Sequence, residues 1–548
     1  MRRRAVMSTL SALALAAGAL LTGPPAATAG RLPQPPAEFG TDWHDPLTAA
    51  PPVHRPRGVP SCEVTVARAQ FRDFTPYRGA YTPPEGCGDR WSAVVLRLDG
   101  RVRGRQYDRL GHLAVGGVEV LRTSTPQPSP DGIAWSVEKD VTRYSDTLSR
   151  PQPVEMLIGN VVDDTHTGVI DVTVTLTFYA APGRAAPGDR TAPGRTAPDP
   201  AATPELVLPL GDGGSVTTPR NTERILAEVY ATGSGGGCEE YWYLTVPTGA
   251  PYGCTAEGGP HREVRVSVDG RLAGIAAPFP TVWTGGWSNP FLWYVVPGPR
   301  AFDVQPVVLD LTPFAGLLND GRPHRVEVTV AGVPAGRPGW STPTNLLLWR
   351  DEGRAVVTGA LTRHEDGGAT GTSRHTPGAE HRVDTAAAHR LTVAGHVDTS
   401  RGRTATTVTR ALTHTSVHRW GADENPDALD ATWSDHETVT AGGATTRTRR
   451  TYTMDGTTTV GAGDRLRTVL TLGDHAHTVA TRGGRPPTWS RLDDTYTGDA
   501  TYTTGVPRDQ RHAVGSSAEH YRLRGSAGCH DRLVRTAQGV VTEDRTRC

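Results

Sequence analysis

The feature that most restricts the fold of this sequence is a succession of short β-rich runs with no long amphipathic helix among them. The runs WSAVVLRLDG, GVEVLR, VEMLIGNVV and DVTVTLTFYA are separated by Gly, Pro and Asp. Short strands bounded by turn residues are typical of β-sandwiches. The nearest helical candidate, ALDATWSDHETV, is weak. The sequence therefore predicts an all-β protein.

Composition divides the chain into units. Residues 181–205 are rich in Pro and Gly and nearly free of large apolar side chains, which predicts a semi-extended, exposed linker. We expect a first β-sandwich over 61–180 and a second over 206–350, which holds half of the 12 tryptophans. Residues 351–548 are rich in Thr, Arg and Gly and predict a more polar C-terminal β domain. Residues 30–60 form an N-terminal extension.

Residues 1–29 have the pattern of a signal peptide. MRRR supplies the charged start, LSALALAAGALL the apolar run and ATAG a cleavage site after Ala29. The apolar run is too short to span a bilayer, and no later segment approaches the required length. We therefore expect a secreted, extracellular protein in a compartment where disulfides persist.

The charges of the chain balance. Lys and Arg together number 57, and so do Asp and Glu, so the formal net charge is zero. This balance offers no electrostatic attraction to nucleic acid or to an anionic membrane, and we expect neither as a partner.

Six cysteines fall in three close pairs separated by long stretches. Six cysteines allow 15 connectivities. Neighbour pairing is favoured if each pair lies within one domain, and we predict it. No CxxC spacing is present, which argues against a structural zinc site. The predicted bonds are Cys62–Cys87, Cys238–Cys254 and Cys529–Cys548.

The common catalytic motifs are absent from the sequence. It has no P-loop, no zincin HExxH and no GxSxG elbow. The stretch DDTHTG, from Asp163 to Gly168, has side chains that can ligate a metal. A polar turn is the more frequent explanation, because Asp, Thr and Gly dominate turns.

Two sets of carboxylates lie beside aromatic residues. Asp108 stands in QYDRL, at the start of two predicted strands around a Gly-Gly turn, although aspartate is depleted in strands and costly to bury alone. Glu239 and Glu240 stand in CEEYWYL. Carboxylates from different strands near aromatic faces suit acid/base chemistry on sugars. The alternative is an ordinary ion pair of Asp108 with Arg105 or Arg109.

At these residues the chain resembles a known family. YTPPEGCGDRWSAVVLRLDGRVRGRQYDRLGHLAVGGVEVLR is similar to the peptide:N-glycanase A family, the peptide-N4-(N-acetyl-β-glucosaminyl)asparagine amidases A. So are GIAWSVEKDVTRYSDTL, IGNVVDDTHTGVIDVTVTLTFY, TGGWSNPFLWYVVPG and the C-terminal GSAGCHDRLV. These motifs occur in the same order over essentially the whole mature chain.

A more distant resemblance is to the bacterial peptide:N-glycanase F type, whose two jelly rolls pack side by side. It implies two jelly-roll-like antiparallel sandwiches here, followed by the C-terminal β domain. The catalytic aspartate of that type sits in a Trp-Asp-Arg triplet similar to Tyr107-Asp108-Arg109. Its glutamate, two residues after a cysteine, points to Glu240 rather than Glu239. A further acidic residue falls near Asn160, which is not an acid.

The resemblance implies hydrolysis of the amide between N-acetylglucosamine and an asparagine side chain of N-linked glycoproteins or glycopeptides. Asp108 is then the central acid/base group, Glu240 orients water or shares the proton, and Arg109 faces the developing oxyanion or pairs structurally. No cofactor or metal is implied, and a monomer is expected. The predicted substrate-binding residues are Tyr241, Trp242, Trp283, Trp287, Trp293 and Asn160.

Two other functions stay open at this point. Jelly rolls host lectins as readily as enzymes, so a secreted, non-catalytic carbohydrate-binding protein is one alternative. A glycosidase that cuts between the sugars of N-glycans is the other.

Overall fold

The computed structural model describes residues 34–88, 90–181, 203–235, 237–283, 289–334 and 339–548. The predicted signal peptide, and residues 182–202 of the predicted linker, lie outside the described residues. The described chain is built from 29 strands, and its longest α-helices have only four residues, which confirms the all-β prediction. None of these helices is long and apolar enough to cross a membrane.

The first eight strands occupy residues 61–180 and form two four-stranded antiparallel sheets. One sheet has the order β1-β8-β3-β6 and the other β2-β7-β4-β5. The chain crosses between the sheets at every step except the β4–β5 hairpin, which is the strand order of a jelly roll. The strands are β1 Ser61–Phe71, β2 Tyr77–Tyr81, β3 Trp91–Val102, β4 Leu110–Val115, β5 Val118–Ser124, β6 Ile133–Asp140, β7 Gln152–Ile158 and β8 Ile170–Ala180.

A second jelly roll occupies residues 206–350. Its sheets have the orders β9-β18-β11-β15 and β10-β16-β13-β14, which repeat the order of the first unit once the short pair β12 and β17 is set aside. The strands are β9 Leu206–Gly211, β10 Gly213–Val216, β11 Thr222–Val229, β12 Thr232–Gly233, β13 Glu263–Val268, β14 Arg271–Ala276, β15 Val307–Asp310, β16 His324–Ala331, β17 Trp340–Ser341 and β18 Thr344–Arg350.

Both jelly rolls carry the same local motif after their sixth strand, an Asp-x-Thr sequence that leads into a short helical turn. In the first unit Asp140 Oδ1 accepts from the backbone N–H of Thr142 (2.9 Å), and Thr142 Oγ1 accepts from that of Val94 on the third strand (2.8 Å). In the second unit Asp310 and Thr312 make the equivalent bonds at 2.9 and 3.2 Å. This side-chain cap satisfies backbone donors where the ladder ends. The helical turns are Thr142–Tyr144, α1 Ser145–Leu148, Thr312–Phe314 and α2 Ala315–Leu318.

The C-terminal domain is one antiparallel sheet of 11 strands, most of them paired in chain order. Its inner face packs on the second jelly roll, since Leu391, Leu412 and Trp433 belong to the same apolar core as Ile225. The domain therefore buries its apolar face against its neighbour rather than in a sandwich of its own. The strands are β19 Thr358–Asp366, β20 Thr370–Thr376, β21 His381–Thr399, β22 Gly402–Trp420, β23 Asp427–Ala441, β24 Ala444–Gly461, β25 Arg465–Arg482, β26 Arg485–Thr503, β27 Val514–Gly525, β28 Gly528–Ala537 and β29 Val540–Thr546.

The weak helical candidate ALDATWSDHETV is wrong. It lies in β23, where every second residue from Leu429 to Asp435 is buried. This period of two places Leu429, Ala431 and Trp433 on the inner face of the sheet. In so short a segment, the spacing of apolar residues does not distinguish a helix from a strand. The surface against which the segment packs decides between them.

Residues 34–60 tie the C-terminal sheet to the rest of the molecule. The backbone N–H groups of Phe39 and His44 donate to Ala513 and Gly539 at 2.7 and 2.8 Å. The Trp43 ring stacks on Tyr294 of the second jelly roll with centroids 4.2 Å apart. This extension is therefore an integral part of the packed structure.

The predicted disulfides are confirmed. Cys62 pairs with Cys87, Cys238 with Cys254 and Cys529 with Cys548, and the Cα–Cα separations of 5.3–5.9 Å are normal for such bonds. Each bond lies within one structural unit, and no described cysteine is free.

Candidate active site

The two jelly rolls meet along β5, the edge strand of the first unit. Glu119 of β5 exchanges backbone–side-chain hydrogen bonds with Asn345 of β18 at 3.1 and 2.8 Å. The buried Arg122 donates to Glu119 (2.8 Å) and to Thr232 of the second unit (2.6 Å). These bonds cover the open edge of β5 and fix the relative position of the two units.

Asp108 lies in the loop between β3 and β4, two residues before β4 begins, and not within a strand as the sequence predicted. A loop accommodates a half-buried carboxylate without breaking a ladder of backbone hydrogen bonds. Gln106 holds this loop, because its amide donates to the carbonyls of Val161 (2.8 Å) and Gly168 (3.2 Å). Its Oε1 atom accepts from the backbone of Tyr107 at 3.1 Å.

Arg109 joins the Asp108 loop to the end of β5. Its backbone N–H donates to Thr125 Oγ1 and its carbonyl accepts from Thr125 N–H, both at 2.9 Å. Its guanidinium donates to Gln106. Burial lowers the pKa of the Arg109 guanidinium, and the charge of Asp108 opposes that effect. Arg109 therefore presents a cation next to the Asp108 carboxylate.

The two neighbouring glutamates have different environments. The side chain of Glu239 is 2% exposed, accepts two hydrogen bonds from Arg262 (2.9 and 2.7 Å) and a third from Trp340 Nε1 (2.6 Å). Glu240 is half-buried in the following turn, where its N–H donates to Gly237 at 2.9 Å. Glu239 thus anchors the turn, and Glu240 is the more exposed of the two carboxylates.

Tyr241 connects the two jelly rolls electrostatically. Burial raises the pKa of its hydroxyl most, followed by Glu240, with which the hydroxyl is hydrogen-bonded, and then by Asp108. Asp108 comes from the first unit and Glu240 from the second, so the phenol lies within the field of both carboxylates. The fold therefore brings the QYDR and CEEYW motifs within electrostatic range of one another.

Asn160, a predicted substrate-binding residue, is fully buried. Its amide donates to the carbonyls of Phe71 (2.9 Å) and Gly168 (3.1 Å). The Gly168 carbonyl also accepts from Gln106, so Asn160 lies behind the Asp108 loop and braces it. A substrate has no access to Asn160 in this arrangement, and its place is structural.

The predicted aromatic platform is largely core. Trp242, Trp283 and Trp293 are at most 5% exposed, and their ring faces are covered by protein. A tryptophan contributes most to stability when buried. Trp242 and Trp293 belong to the core that the second unit shares with the C-terminal sheet, and Trp283 Nε1 donates to the Gly233 carbonyl at 3.3 Å. Trp287 lies outside the described residues. Of the predicted set, Tyr241 keeps a partly exposed ring at the site.

Sequence reasoning missed the aromatic surface that the structure exposes. Tyr107, next to Asp108, is 48% exposed and packs against His166, and Phe74 of the adjoining loop is 66% exposed. Val161 completes this apolar patch. The sequence feature that could have predicted this surface is an aromatic residue in a loop between strands. A loop has no inward face on which such a side chain would be buried.

The stretch Asp163–Gly168 forms a polar turn. Asp163 Oδ1 accepts from the N–H groups of Thr165 (2.8 Å) and His166 (2.6 Å), and these bonds lower the pKa of its carboxyl. Among the described residues, no group of three or more His, Cys, Asp or Glu side chains is arranged to hold a metal ion.

The family model described as peptide N-acetyl-β-D-glucosaminyl asparaginase amidase A matches residues 50–366. A peptide-N4-(N-acetyl-β-glucosaminyl)asparagine amidase A from Prunus dulcis is 32% identical over 360 residues, which are 59% of this chain and 61% of that protein. The chain thus spans about three fifths of that relative's length.

Two solved structures are also similar. A peptide-N(4)-(N-acetyl-β-D-glucosaminyl) asparagine amidase matches with a TM-score of 0.33 and 12% identity, over 53% of this chain and 96% of its own. PNGF-II matches with a TM-score of 0.35 and 13% identity, over 53% of this chain and 65% of its own. The jelly-roll assignment rests on the strand order of this chain itself.

Proposed function

This chain belongs to the peptide N-acetyl-β-D-glucosaminyl asparaginase amidase A family, and we propose that it hydrolyses the amide bond between N-acetylglucosamine and asparagine in N-linked glycopeptides or glycoproteins. The observation that carries the proposal is that the Tyr241 hydroxyl, hydrogen-bonded to Glu240 of the second jelly roll, also lies within the field of Asp108 from the first. The products are a peptide with aspartate in place of asparagine and a glycosylamine, which loses ammonia in water.

The chemistry of an amide explains the need for several groups. An amide is a poor electrophile with a poor leaving group, so water must be activated, the carbonyl oxygen stabilised and the departing nitrogen protonated. Asp108 is assigned the proton transfer at the sugar–amide linkage. Glu240 orients the attacking water, and the Tyr241 hydroxyl bonded to Glu240 holds that carboxylate in place.

Arg109 is assigned to the developing negative charge. Its guanidinium lies beside Asp108 and is held by Gln106. A cation fixed in advance stabilises an oxyanion without reorganising during the reaction. The exposed ring of Tyr107 offers an apolar face for the C–H side of a sugar, next to the carboxylate.

The setting of the reaction is part of the proposal. The N-terminal MRRR and its apolar run support export, and the three disulfides fit an extracellular protein. The enzyme is proposed to act as a secreted monomer on a glycopeptide or glycoprotein substrate.

Mass spectrometry of a defined glycopeptide tests the activity. After incubation in ¹⁸O-water the released peptide is expected to carry aspartate, about one mass unit heavier than asparagine before isotope incorporation, with one heavy oxygen in its carboxyl. Asparagine still bearing one N-acetylglucosamine would identify a glycosidase instead, and an unchanged glycopeptide would favour a binding protein.

The same assay tests the absence of a metal requirement. Treatment with a chelator should leave the rate unchanged. Loss of activity that a divalent metal restores would contradict the cofactor-free mechanism.

The Cys238–Cys254 bond closes the segment that carries Glu240. Replacing both cysteines by serine should cost about 2–4 kcal/mol of unfolding free energy, because the loop regains entropy in the unfolded state. It should also slow the amidase reaction, because Glu240 lies two residues from Cys238. Urea unfolding and steady-state kinetics measure the two effects.

The matched control replaces Cys62 and Cys87 by serine. The bond between these two cysteines closes a loop in the first jelly roll. This variant should lose comparable stability and keep its rate under conditions where it is folded. Equal rates for the two double variants would show that the Cys238–Cys254 bond has no part in positioning Glu240.

A further inference from the structure

A large cavity lies where the two jelly rolls, the C-terminal sheet and the N-terminal extension meet. Its volume is about 1200 Å³, which is larger than most ligand pockets, whose volumes are about 300–1,000 Å³. Asp108, Arg109, Glu240 and Tyr241 are not among the described residues that line it.

The segment 298–304 separates this cavity from the candidate active site. Residues 298–303 line the cavity, while the backbone of the same segment is bonded to β5: Ser124 N–H donates to Ala301 (3.0 Å) and Val304 N–H donates to Arg122 (3.0 Å). β5 leads directly to Thr125, which holds Arg109. The cavity therefore lies on the opposite side of β5 and this segment from the Asp108 loop.

Three carboxyl groups from adjacent strands of the C-terminal sheet line one wall. Asp474, Asp494 and Glu519 are 2%, 5% and 3% exposed. Glu519 accepts from the N–H of Ala49 (2.6 Å), and Asp474 Oδ2 accepts from Arg300 Nε (2.7 Å). The Oδ1 atoms of Asp474 and Asp494 have no hydrogen-bond partner within the described chain.

Buried polar atoms without partners are costly, so these two oxygens call for an occupant that bonds to them. Burial and the neighbouring charges of Glu519 and Asp474 raise the pKa of Asp494 well above its usual range. This shift favours the protonated form of Asp494, in which the side chain offers a hydroxyl donor. Asp474, neutralised by Arg300, offers an acceptor beside it.

The opposite wall belongs to the jelly rolls and is also rich in hydroxyl groups. Lys139, the only lysine of the chain, donates to the Tyr230 hydroxyl (3.2 Å) and pairs with Asp303 (3.1 Å). The Tyr230 and Tyr144 hydroxyls are 3.0 Å apart. The charges of this wall are internally paired, and the Tyr144 and Tyr230 hydroxyls are buried in the same network.

The chemistry of the walls limits the ligand. An anion would meet the carboxylates, and the described residues include no group of three side chains arranged for a metal ion. A neutral polyol, by contrast, both donates and accepts, as Asp474 and Asp494 require, and its C–H faces match the apolar lining around Trp349.

We propose that this cavity is a second carbohydrate site, which binds a neutral oligosaccharide through Asp474 and Asp494 at a distance from the reaction centre. This proposal goes beyond the amidase function, because the second site binds a free glycan that is not attached to a peptide. The oligosaccharide has two sources, a free glycan or the outer part of a glycan still joined to peptide.

Hydrogen–deuterium exchange on the full mature chain tests the site, with a neutral, mannose-terminated N-glycan free of peptide as the probe. Protection is expected in peptides from β25 to β27, with binding about tenfold weaker in Asp494→Leu. Removing a buried, unpartnered carboxyl should not harm folding.

The control is Asp499→Asn on the same strand, whose side chain pairs with Arg467 on the exposed face of the sheet. It should bind like the unaltered protein. Protection confined to the Asp108 loop and the Glu240 turn, or none at all, would overturn the proposal. So would protection by a polyamine and not by the glycan, which would change the ligand class.

A second arm distinguishes the sources and separates this proposal from the amidase. The same glycan is presented on a peptide to Asp108→Asn. Protection at β25–β27 with both probes supports the site for free and peptide-linked glycan alike, and protection with the free glycan alone supports a site for the released product. Either pattern stands whether or not the chain proves to be an amidase.

Discussion

Asp108→Asn is expected to lower the turnover of a glycopeptide about 100- to 10,000-fold, the usual range for loss of one general acid/base group. The amide has the shape of the carboxyl but cannot accept or deliver the proton. Because Gln106, Asn160 and Thr125 hold the loop through other atoms, its position and the melting temperature should change little. Steady-state kinetics and thermal melts on the same preparation measure both quantities.

Asp164→Asn is the matched control, since it removes an exposed carboxylate from the adjoining turn. Its rate should equal that of the unaltered protein. The alternative role for Asp108, an ion pair with Arg105 or Arg109, predicts the reverse pattern. A normal rate with a lowered melting temperature in Asp108→Asn would therefore remove it from the mechanism.

Glu239→Gln is expected to cost about 3–5 kcal/mol of unfolding free energy, because it leaves the buried Arg262 charge without its carboxylate. The Arg262 side chain has 0% exposure and Glu239 2%, so water cannot replace the lost partner. Denaturant unfolding of the folded variant measures the loss, and the accompanying shift of the turn should also reduce the rate.

Glu240→Gln, one residue later, is the comparison. It should keep its stability within about 1 kcal/mol, as expected of a half-buried position, and lose its rate severely because the water is misplaced. The Asp108→Asn/Glu240→Gln double variant should be little worse than either single one, since both serve one transition state. If Glu240→Gln were stable and active while Glu239→Gln were stable but inactive, the roles of the two glutamates would be exchanged: Glu239 would orient the water and Glu240 would be structural.

Several features of the fold could be predicted from the sequence because they depend on residues that are close together in the chain. The alternation in DVTVTLTFYA became β8, with every second side chain buried, and the predicted turn at Gly116–Gly117 joins β4 to β5. The cysteine pairs closed as their spacing indicated. Such features require only the period of a strand, the conformational freedom of glycine and the short reach of a disulfide.

The errors share a different cause. ALDATWSDHETV became a strand because the second jelly roll offers its alternating residues an apolar surface. Trp242, Trp283 and Trp293 entered the core, and Tyr107 stayed outside, although side-chain chemistry alone predicts sugar contacts for all of them equally. The Asp-x-Thr cap repeated in both units was also missed, because its second partner lies on a strand far away in the chain.

The sequence by itself determined the all-β class and the pairing of the cysteines, since strand period, turn residues and cysteine spacing are local properties. Only the tertiary structure decided which carboxylates meet. Asp108 and Glu240 belong to different jelly rolls, and both act on the pKa of the Tyr241 hydroxyl because β5 docks against the second unit. The structure also gave Glu239 and Glu240 different roles, because Glu239 is buried in an ion pair with Arg262. The sequence could not show this, since the desolvation of a charge depends on everything packed around it and not on its neighbours in the chain.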